Sequence, residues 1–397
     1  MRSLIALVIL PLLLSIQQPA SNISVDRLQE TVEWLSDPAR GGRLSQSAGA
    51  QETSDWLLSK FQDRGLTAQM QEIGPSRRNV IGRWGDGDQH LIVGAHYDGQ
   101  GIGYSSASDN AAGVAVLLEF ARELQRRDAK GSYVFIAFDD EERGLFGSHH
   151  YVNNPVYPLE NASAVVILDT MGRSFADLNQ WTLVVFGSEF SPELSQVLAD
   201  LRKPEMILLG TDLLGPRSDF APFAGKNIPY LFFTNATHRD YHGVGDVPGS
   251  IQYDRLRDDA DTILEIVNKI SNLKFKTTYL DDPEYPANEG NAIKALLNAI
   301  ESTRNDLSHV YKLLFEDLRK RLAIDSSREN LRLATSVLLA CATPRVSSFS
   351  LGYLIGPLYE AEGKPQIAVA VYEEALRWTT NPFLKKSLSD KLESLLQ

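Results

Sequence analysis

Apolar residues follow two rhythms along this chain. From about residue 25 to residue 66 they recur at helical spacing, in SVDRLQETVEWLSD and again in SAGAQETSDWLLSKFQDRGL, with Gly65 closing the second run. The period then changes. Short, β-branched runs at Asn79–Trp84, Leu91–Ala95, Tyr133–Phe138, Ala164–Leu168, Thr182–Phe186 and Tyr230–Phe233 read as buried strands, with helix-like segments between several of them. Tyr253–Leu273 reads as a last amphipathic helix. The alternation predicts an α/β domain over residues 21–275, built around a largely buried sheet.

Beyond it the strand signals stop. Lys276–Asn291 is turn-rich and charged, as a linker would be, and residues 292–397 read as an all-α domain. Within that tail, GPLYEAEGKPQIAVAVYEEALRW sets Gly356, Tyr359, Gly363, Ala368, Tyr372 and Ala375 at spacings that resemble one tetratricopeptide repeat. Its physical content is two packed helices with small residues where they touch. One such unit cannot bury its face alone, so the helices from Ala292 to Cys341 are expected to supply its neighbours. Two roles stay open for the tail: a surface for a protein partner or self-association, or an irregular bundle that shields the first domain.

Composition narrows the picture. A chain of 397 residues with 43% hydrophobic and 23% charged content is an ordinary globular protein, and a net charge of -12 argues against nucleic-acid binding while leaving cation binding open. The apolar run from Leu4 to Ile16 behind Arg2 is short for a membrane span and reads as part of a signal peptide covering residues 1–20. Export to the periplasm or outside the cell is therefore expected. Gln18 suits cleavage after Ala20 poorly, so retention as an N-terminal anchor is the alternative. With Cys341 alone, an exported chain has no internal disulfide.

The candidate chemistry sits where the strands run out. VGAHYDG ends an apolar run on His96 and Asp98. Residues two apart on a strand point the same way, so the carboxylate can stand behind the imidazole and accept its second N–H. In an open α/β sheet the carboxyl ends of strands line the ligand crevice. Alone, the pair equally fits a loop hydrogen bond, and Asp109 in SSASDNAAGVAVLLEFARELQRR equally fits a helix N-cap. YVFIAFDDEERGLFGS is harder to dismiss. It crowds Asp139, Asp140, Glu141 and Glu142 at one strand end, where their repulsion asks for a counter-cation or raised pKa values. Adjacent residues in extended chain project differently, so Glu142 can bind metal while Glu141 reaches the water above it. SAVVILDTMG repeats the design at Asp169, and IPYLFFTNATHRDYHGVGDVP follows a strand with His238 and His242. Of the seven histidines, His90 and His309 look superficial, and His149 and His150 belong to the segment after the glutamates. Together the strand ends offer two imidazoles and three or four carboxylates, a ligand set for a pair of divalent ions.

In that order AHYDG, SASDNAAGVAVLLEFAR, DDEERGLFGS, ILDTMG and YHGVGDVP resemble the co-catalytic zinc aminopeptidase family that also contains glutaminyl cyclases, over roughly residues 28–272. The resemblance implies a zinc exopeptidase fold, with a mixed, largely parallel central sheet flanked by helices, and two zinc ions per chain, with His96 and Asp169 on one, Glu142 and His242 on the other, and Asp109 bridging both. Glu141 would be the general base and Asp98 the partner behind His96. His242 is selected over His238 because it follows Tyr241 and precedes a loop containing Asp246. There is one departure. SDFAP at Ser218–Pro222 sets Phe220 where many relatives have a histidine, an expected alteration of the substrate pocket.

The four positive charges of two zinc ions, set against the three negative charges of Asp109, Glu142 and Asp169, leave a net positive centre that favours a metal-bridged hydroxide. The expected activity is thus an aminopeptidase acting on peptides. The alternatives are a glutaminyl cyclase of the same fold, although EERGLFGS looks more like the peptidases, or a non-catalytic binding protein using the helical tail. The loops Gly187–Pro192 and Leu209–Ala224 are the expected pocket walls.

Overall fold

A computed structural model describes residues 21–127, 131–273 and 276–396. The expected signal peptide, residues 1–20, lies outside them. Eight strands form one sheet: β1 (Thr67–Gly74), β2 (Arg77–Trp84), β3 (His90–His96), β4 (Tyr133–Phe138), β5 (Ala162–Leu168), β6 (Leu183–Phe186), β7 (Met206–Leu208) and β8 (Tyr230–Thr234). Their spatial order is β1-β2-β4-β3-β5-β8-β6-β7. The centre, β4-β3-β5-β8, is parallel. β2 and β6 run antiparallel to it on either side, β1 closes one edge antiparallel and β7 the other in parallel with β6. This is the mixed, largely parallel sheet that the family resemblance implies, and its central strands are buried as the hydrophobic rhythm predicts.

Strand periodicity divides the core between two faces. Tyr133, Phe135 and Ala137 pack on one side with the helices Val25–Ser36, Ala48–Asp63, Ala112–Arg127, Pro192–Asp200 and Tyr253–Ser271. Val134, Ile136 and Phe138 pack on the other. Helix starts are fixed locally: the Ser24 and Ser47 hydroxyls accept the backbone N–H groups of Arg27 and Ala50. Two strands have no counterpart in the sequence reading. β1 (TAQMQEIG) is an edge strand with no fully buried residue, so it carries no apolar run. β7 has three residues, too few for a period.

The second face leads directly into the helical region. Helices Glu289–Thr303, His309–Ile324, Arg328–Ala342, Gly356–Ala361, Pro365–Trp378 and Pro382–Leu396 share one continuous core with Phe186, Tyr230 and Phe232 of the sheet, and the short helix Pro344–Ser350 lies outside it. Between the two regions, residues 276–288 contain no helix or strand. They are nevertheless docked: Tyr279 stacks on Phe190 at 5.2 Å, and the N–H groups of Leu280 and Glu284 donate to the carbonyls of Phe190 and Glu189. The Arg328 guanidinium joins Asp212 of the α/β region to Glu289 at the start of the first helix. Gly356 faces the Tyr372 ring, so the small residue does mark a helix contact.

His90 departs from expectation. It is buried at the start of β3, edge-on to the Tyr157 ring at 6.2 Å, because the loop carrying Tyr157 covers that end of the sheet. His309 is exposed.

Candidate metal centre

The seven residues singled out from the sequence converge at the carboxyl ends of β3, β4, β5 and β8, where an open sheet forms its crevice. His96 is the last residue of β3. Its Nε2 lies 3.2 Å from Asp109 Oδ1 and 3.4 Å from Asp169 Oδ1. The other oxygen of Asp109 lies 3.0 Å from His242 Nε2, which is also 3.2 Å from Glu142 Oε2. Asp109 therefore faces one imidazole with each carboxylate oxygen. Two clusters result, His96/Glu141/Asp169 and Asp109/Glu142/His242, each with ligand atoms within 4.8 Å of one another.

The donor set fits divalent cations. Nε2 of both histidines and Oε1 of Glu142 are buried, and none makes an aligned hydrogen bond despite the close carboxylates. Atoms that converge on a point between them, rather than on each other, behave this way. Two imidazoles and four carboxylates suit zinc or a similar borderline ion. The electrostatics agree. Burial opposes charge on the imidazoles, yet Glu141 and Asp169 hold His96 well above the usual histidine range, and Asp109 and Glu142 push His242 up to about 10. Burial raises Glu142 to about 6 with help from Asp109, and raises Glu141 well above the usual carboxylate range. The pocket asks for positive charge among its carboxylates.

Several connections hold the donors in place. Asp98 stands behind His96, but its Oδ1 is 3.5 Å from Nδ1, and its two oxygens accept the N–H groups of Glu141 and Glu142 at 3.1 and 3.2 Å. β3 ends at His96, so the chain has turned before Asp98 and the carboxylate serves the β4 loop as well. Ser218 donates to Asp169 Oδ2 at 2.7 Å, Thr170 donates to Oδ1 at 3.0 Å, and Gln100 donates to Glu142. Left-handed backbone at Ser106, Asp140, Thr170 and His242 surrounds the centre, the kind of local strain a functional site retains. The Asp109–Asn110 peptide bond is cis.

The crowded carboxylates after β4 divide their tasks. Asp140 pairs with Arg77 at 3.0 Å and with Arg143 at 2.6 Å, and Asp139 accepts the Arg78 N–H, leaving Glu141 and Glu142 for the cleft. His238 is not in the centre. It is fully buried, its Nε2 is 2.8 Å from the Ser108 hydroxyl, and burial lowers it to about 4.

Two bracing roles and one buried carboxylate are not assigned by the sequence reading. Asp246 is buried and accepts the backbone N–H groups of Ser108 and Asp109 and the Ser108 hydroxyl, tying the Asp109 turn to the His242 loop. Arg43 is fully buried and donates to the carbonyls of Leu35, Tyr97, Ser105 and Ser106, clamping the loop between His96 and Asp109. Asp219, buried next to Ser218, is pushed up to about 7 by loss of hydration. Asp246 and Asp219 stand in the stretches YHGVGDVP and SDFAP, but no local pattern announces what Asp246 and Arg43 hold, because their partners are distant in sequence.

The departure at Phe220 lies one layer behind the surface of the cleft. Its ring packs 5.0 Å from both Tyr230 and Phe232 in the core. The expected pocket walls are only half right. Leu209, Leu214 and Arg217 line the cavity beside the centre, but none of residues 187–192 does, because that loop holds residues 278–284 instead.

Residues 79–267 match the model of peptidase family M28, which bears out the resemblance read from the ordered motifs. Among curated proteins, a probable zinc metalloprotease of Pyrenophora teres f. teres is 29% identical over 202 residues, covering 41% of this chain and 42% of that protein. The aminopeptidase YwaD of Bacillus subtilis is 30% identical over 191 residues, covering 45% and 40%. The chain thus spans under half the length of these two relatives. Among solved structures, a Zn-dependent exopeptidase from Parabacteroides distasonis has a TM-score of 0.54 at 20% identity, covering 64% of this chain and all of that one. The glutaminyl cyclase of Porphyromonas gingivalis has a TM-score of 0.54 at 21% identity, covering 63% and 99%. These likenesses establish the zinc exopeptidase fold, and the family match supports a hydrolase of the peptidase class.

Proposed function

We propose that this chain is a zinc aminopeptidase that releases N-terminal residues from peptides. The observation that carries the reading is Asp109, whose two oxygens each face a different imidazole, 3.2 Å from His96 and 3.0 Å from His242. Such a carboxylate can bridge two ions, with His96 and Asp169 completing one ligand set and Glu142 and His242 the other. Bound zinc acts as a Lewis acid, polarising the scissile carbonyl and making water a better nucleophile at neutral pH.

The protein's own groups do the rest. Glu141 takes the proton of the attacking water and returns it to the leaving amine. Its weak hydration and the neighbouring Asp169 raise its proton affinity, as a base working near neutral pH requires. Asp98, by accepting two successive N–H groups, fixes where Glu141 and Glu142 point. With residues 1–20 read as a signal peptide, the substrates are peptides outside the cytoplasm.

The test is a panel of aminoacyl and N-terminal glutamine substrates, assayed before and after metal removal and again after zinc is restored. Hydrolysis that is lost and regained, at two zinc ions per chain, supports the aminopeptidase. Cyclisation of N-terminal glutamine without hydrolysis would make it a glutaminyl cyclase, and no turnover with partner binding intact would make it a binding protein. Glu141→Gln is expected to lower turnover by about 10²–10⁴ with zinc content unchanged. Near-normal activity in that variant would remove Glu141 from the mechanism.

A further inference from the structure

A cavity of about 270 Å³ opens beside the metal centre at Asp169 and His242, one donor from each cluster. Phe186, Leu209 and Phe232 form the wall on the sheet side. The facing wall belongs to the helical region: Leu296 from helix Glu289–Thr303, Leu338 and Leu339 from Arg328–Ala342, and Val346 from Pro344–Ser350. Charged lining groups are confined to Asp169 and His242 at the metal end and to Arg217, which is exposed. The rest of the lining is mostly apolar, with neutral hydroxyls such as those of Thr335, Thr343 and Ser347 among the leucines, and offers no counter-charge to an ionic side chain desolvated there.

We propose that the C-terminal helical region is a specificity element of the catalytic site, its leucines and Val346 shaping a compartment that takes one large apolar side chain of the substrate. The proposal rests on the aminopeptidase reading for the identity of that side chain as the N-terminal residue's. Size argues for a single residue, because the volume falls just below the range of about 300–1,000 Å³ that encloses drug-sized ligands. Position argues for the residue whose carbonyl is cleaved, because the cavity begins at the donors themselves. Rigidity argues for selection rather than passive cover. Leu338 is buried in the shared core, and its helix is pinned at the other end by Arg328 on Asp212 and Glu289. A wall held this firmly discriminates by volume and polarity.

The experiment uses the full chain with zinc restored. Rates of release are compared for N-terminal Leu, Phe, Ala, Lys and Glu in the parent, Leu339→Trp and Val346→Trp, two positions that are not fully buried. Calorimetric binding of L-leucinol and L-alaninol to the same three proteins gives a readout independent of turnover. Burial of one leucine-sized side chain predicts a Leu-to-Ala ratio in kcat/KM of at least about tenfold for the parent. Each tryptophan is expected to cut that ratio about tenfold, the loss falling more heavily on Leu release than on Ala release. An unchanged ratio, or equal losses for Leu and Ala, overturns the proposal. If the parent releases no residue but prefers leucinol in a Leu339-dependent way, the compartment stands and the peptidase reading falls. If neither alcohol is preferred, the compartment falls.

Discussion

Asp246 joins the two halves of the candidate centre although it carries no donor of its own. By accepting N–H groups from Ser108 and Asp109 it fixes the Asp109 carboxylate against His242, four residues upstream of itself. Supports of this kind are worth about 10–100-fold in metal affinity. Asp246→Ala is therefore expected to weaken zinc binding by about that factor in a chelator competition, and an unchanged affinity would reduce Asp246 to a loop residue. Cys341 gives a second prediction at this scale. Burial pushes its thiol up to about 12, so it should resist a thiol reagent at pH 8 in the native protein and react once the chain is denatured. Rapid native labelling would show that the helix bearing it opens. His96, Glu141, Glu142 and Asp169 were legible in the sequence because each closely follows an apolar strand, whereas Asp109, at the start of a helix, and His242, in a loop, took their place from the ordered motifs. The bracing roles of Asp246 and Arg43 were not legible, since they arise only when distant loops meet.

Whole elements were legible where burial imposed a period. β4 was read to the residue because both its faces are covered, whereas β1 was missed because an edge strand may expose one side and stay polar. In the helical region, Gly356 lies where a Cβ would collide with the buried Tyr372 ring. Gly356→Ala is expected to destabilise the fold by about 1–3 kcal/mol in urea unfolding, the range for overpacking a rigid core. A neutral effect would mean that the pair of helices can slide apart without cost. The spacing of small and aromatic residues thus located a helix contact, but which neighbours cover it was decided by chain far away in sequence.

At the scale of the whole molecule, the sheet and the helical region behave as one packed body. Val184, Phe186 and Phe232 belong to a core that continues into the helices. A chain ending at residue 273 should therefore expose that face and aggregate or lose cooperative unfolding, as judged by size-exclusion chromatography and denaturant titration. A monomeric truncated chain with a sharp transition would show that the helices are dispensable for folding. Stability should also depend on pH through Asp259, which burial pushes up to about 7 although it accepts hydrogen bonds from Asn235 and Trp181. Between the ordinary carboxylate value near 4 and pH 7 the folded state then holds more protons at this site than the unfolded state. Its contribution to stability is fully present below about pH 4 and is lost as pH rises towards 7. Asp259→Asn should flatten that part of the stability profile, and an identical slope in the variant would exclude Asp259 as its source.

What the sequence determined by itself was the α/β class, the strand ends and the donors mounted on them. Those features are local: buried strands need apolar runs, and polar groups that end such runs mark the rim of a sheet. Only the tertiary structure decided that the helical tail faces the cleft, that His90 is inside, and that Asp246 and Arg43 brace the centre. Each of these depends on which distant surfaces pack together to remove apolar area from water, and neither period nor motif records that choice.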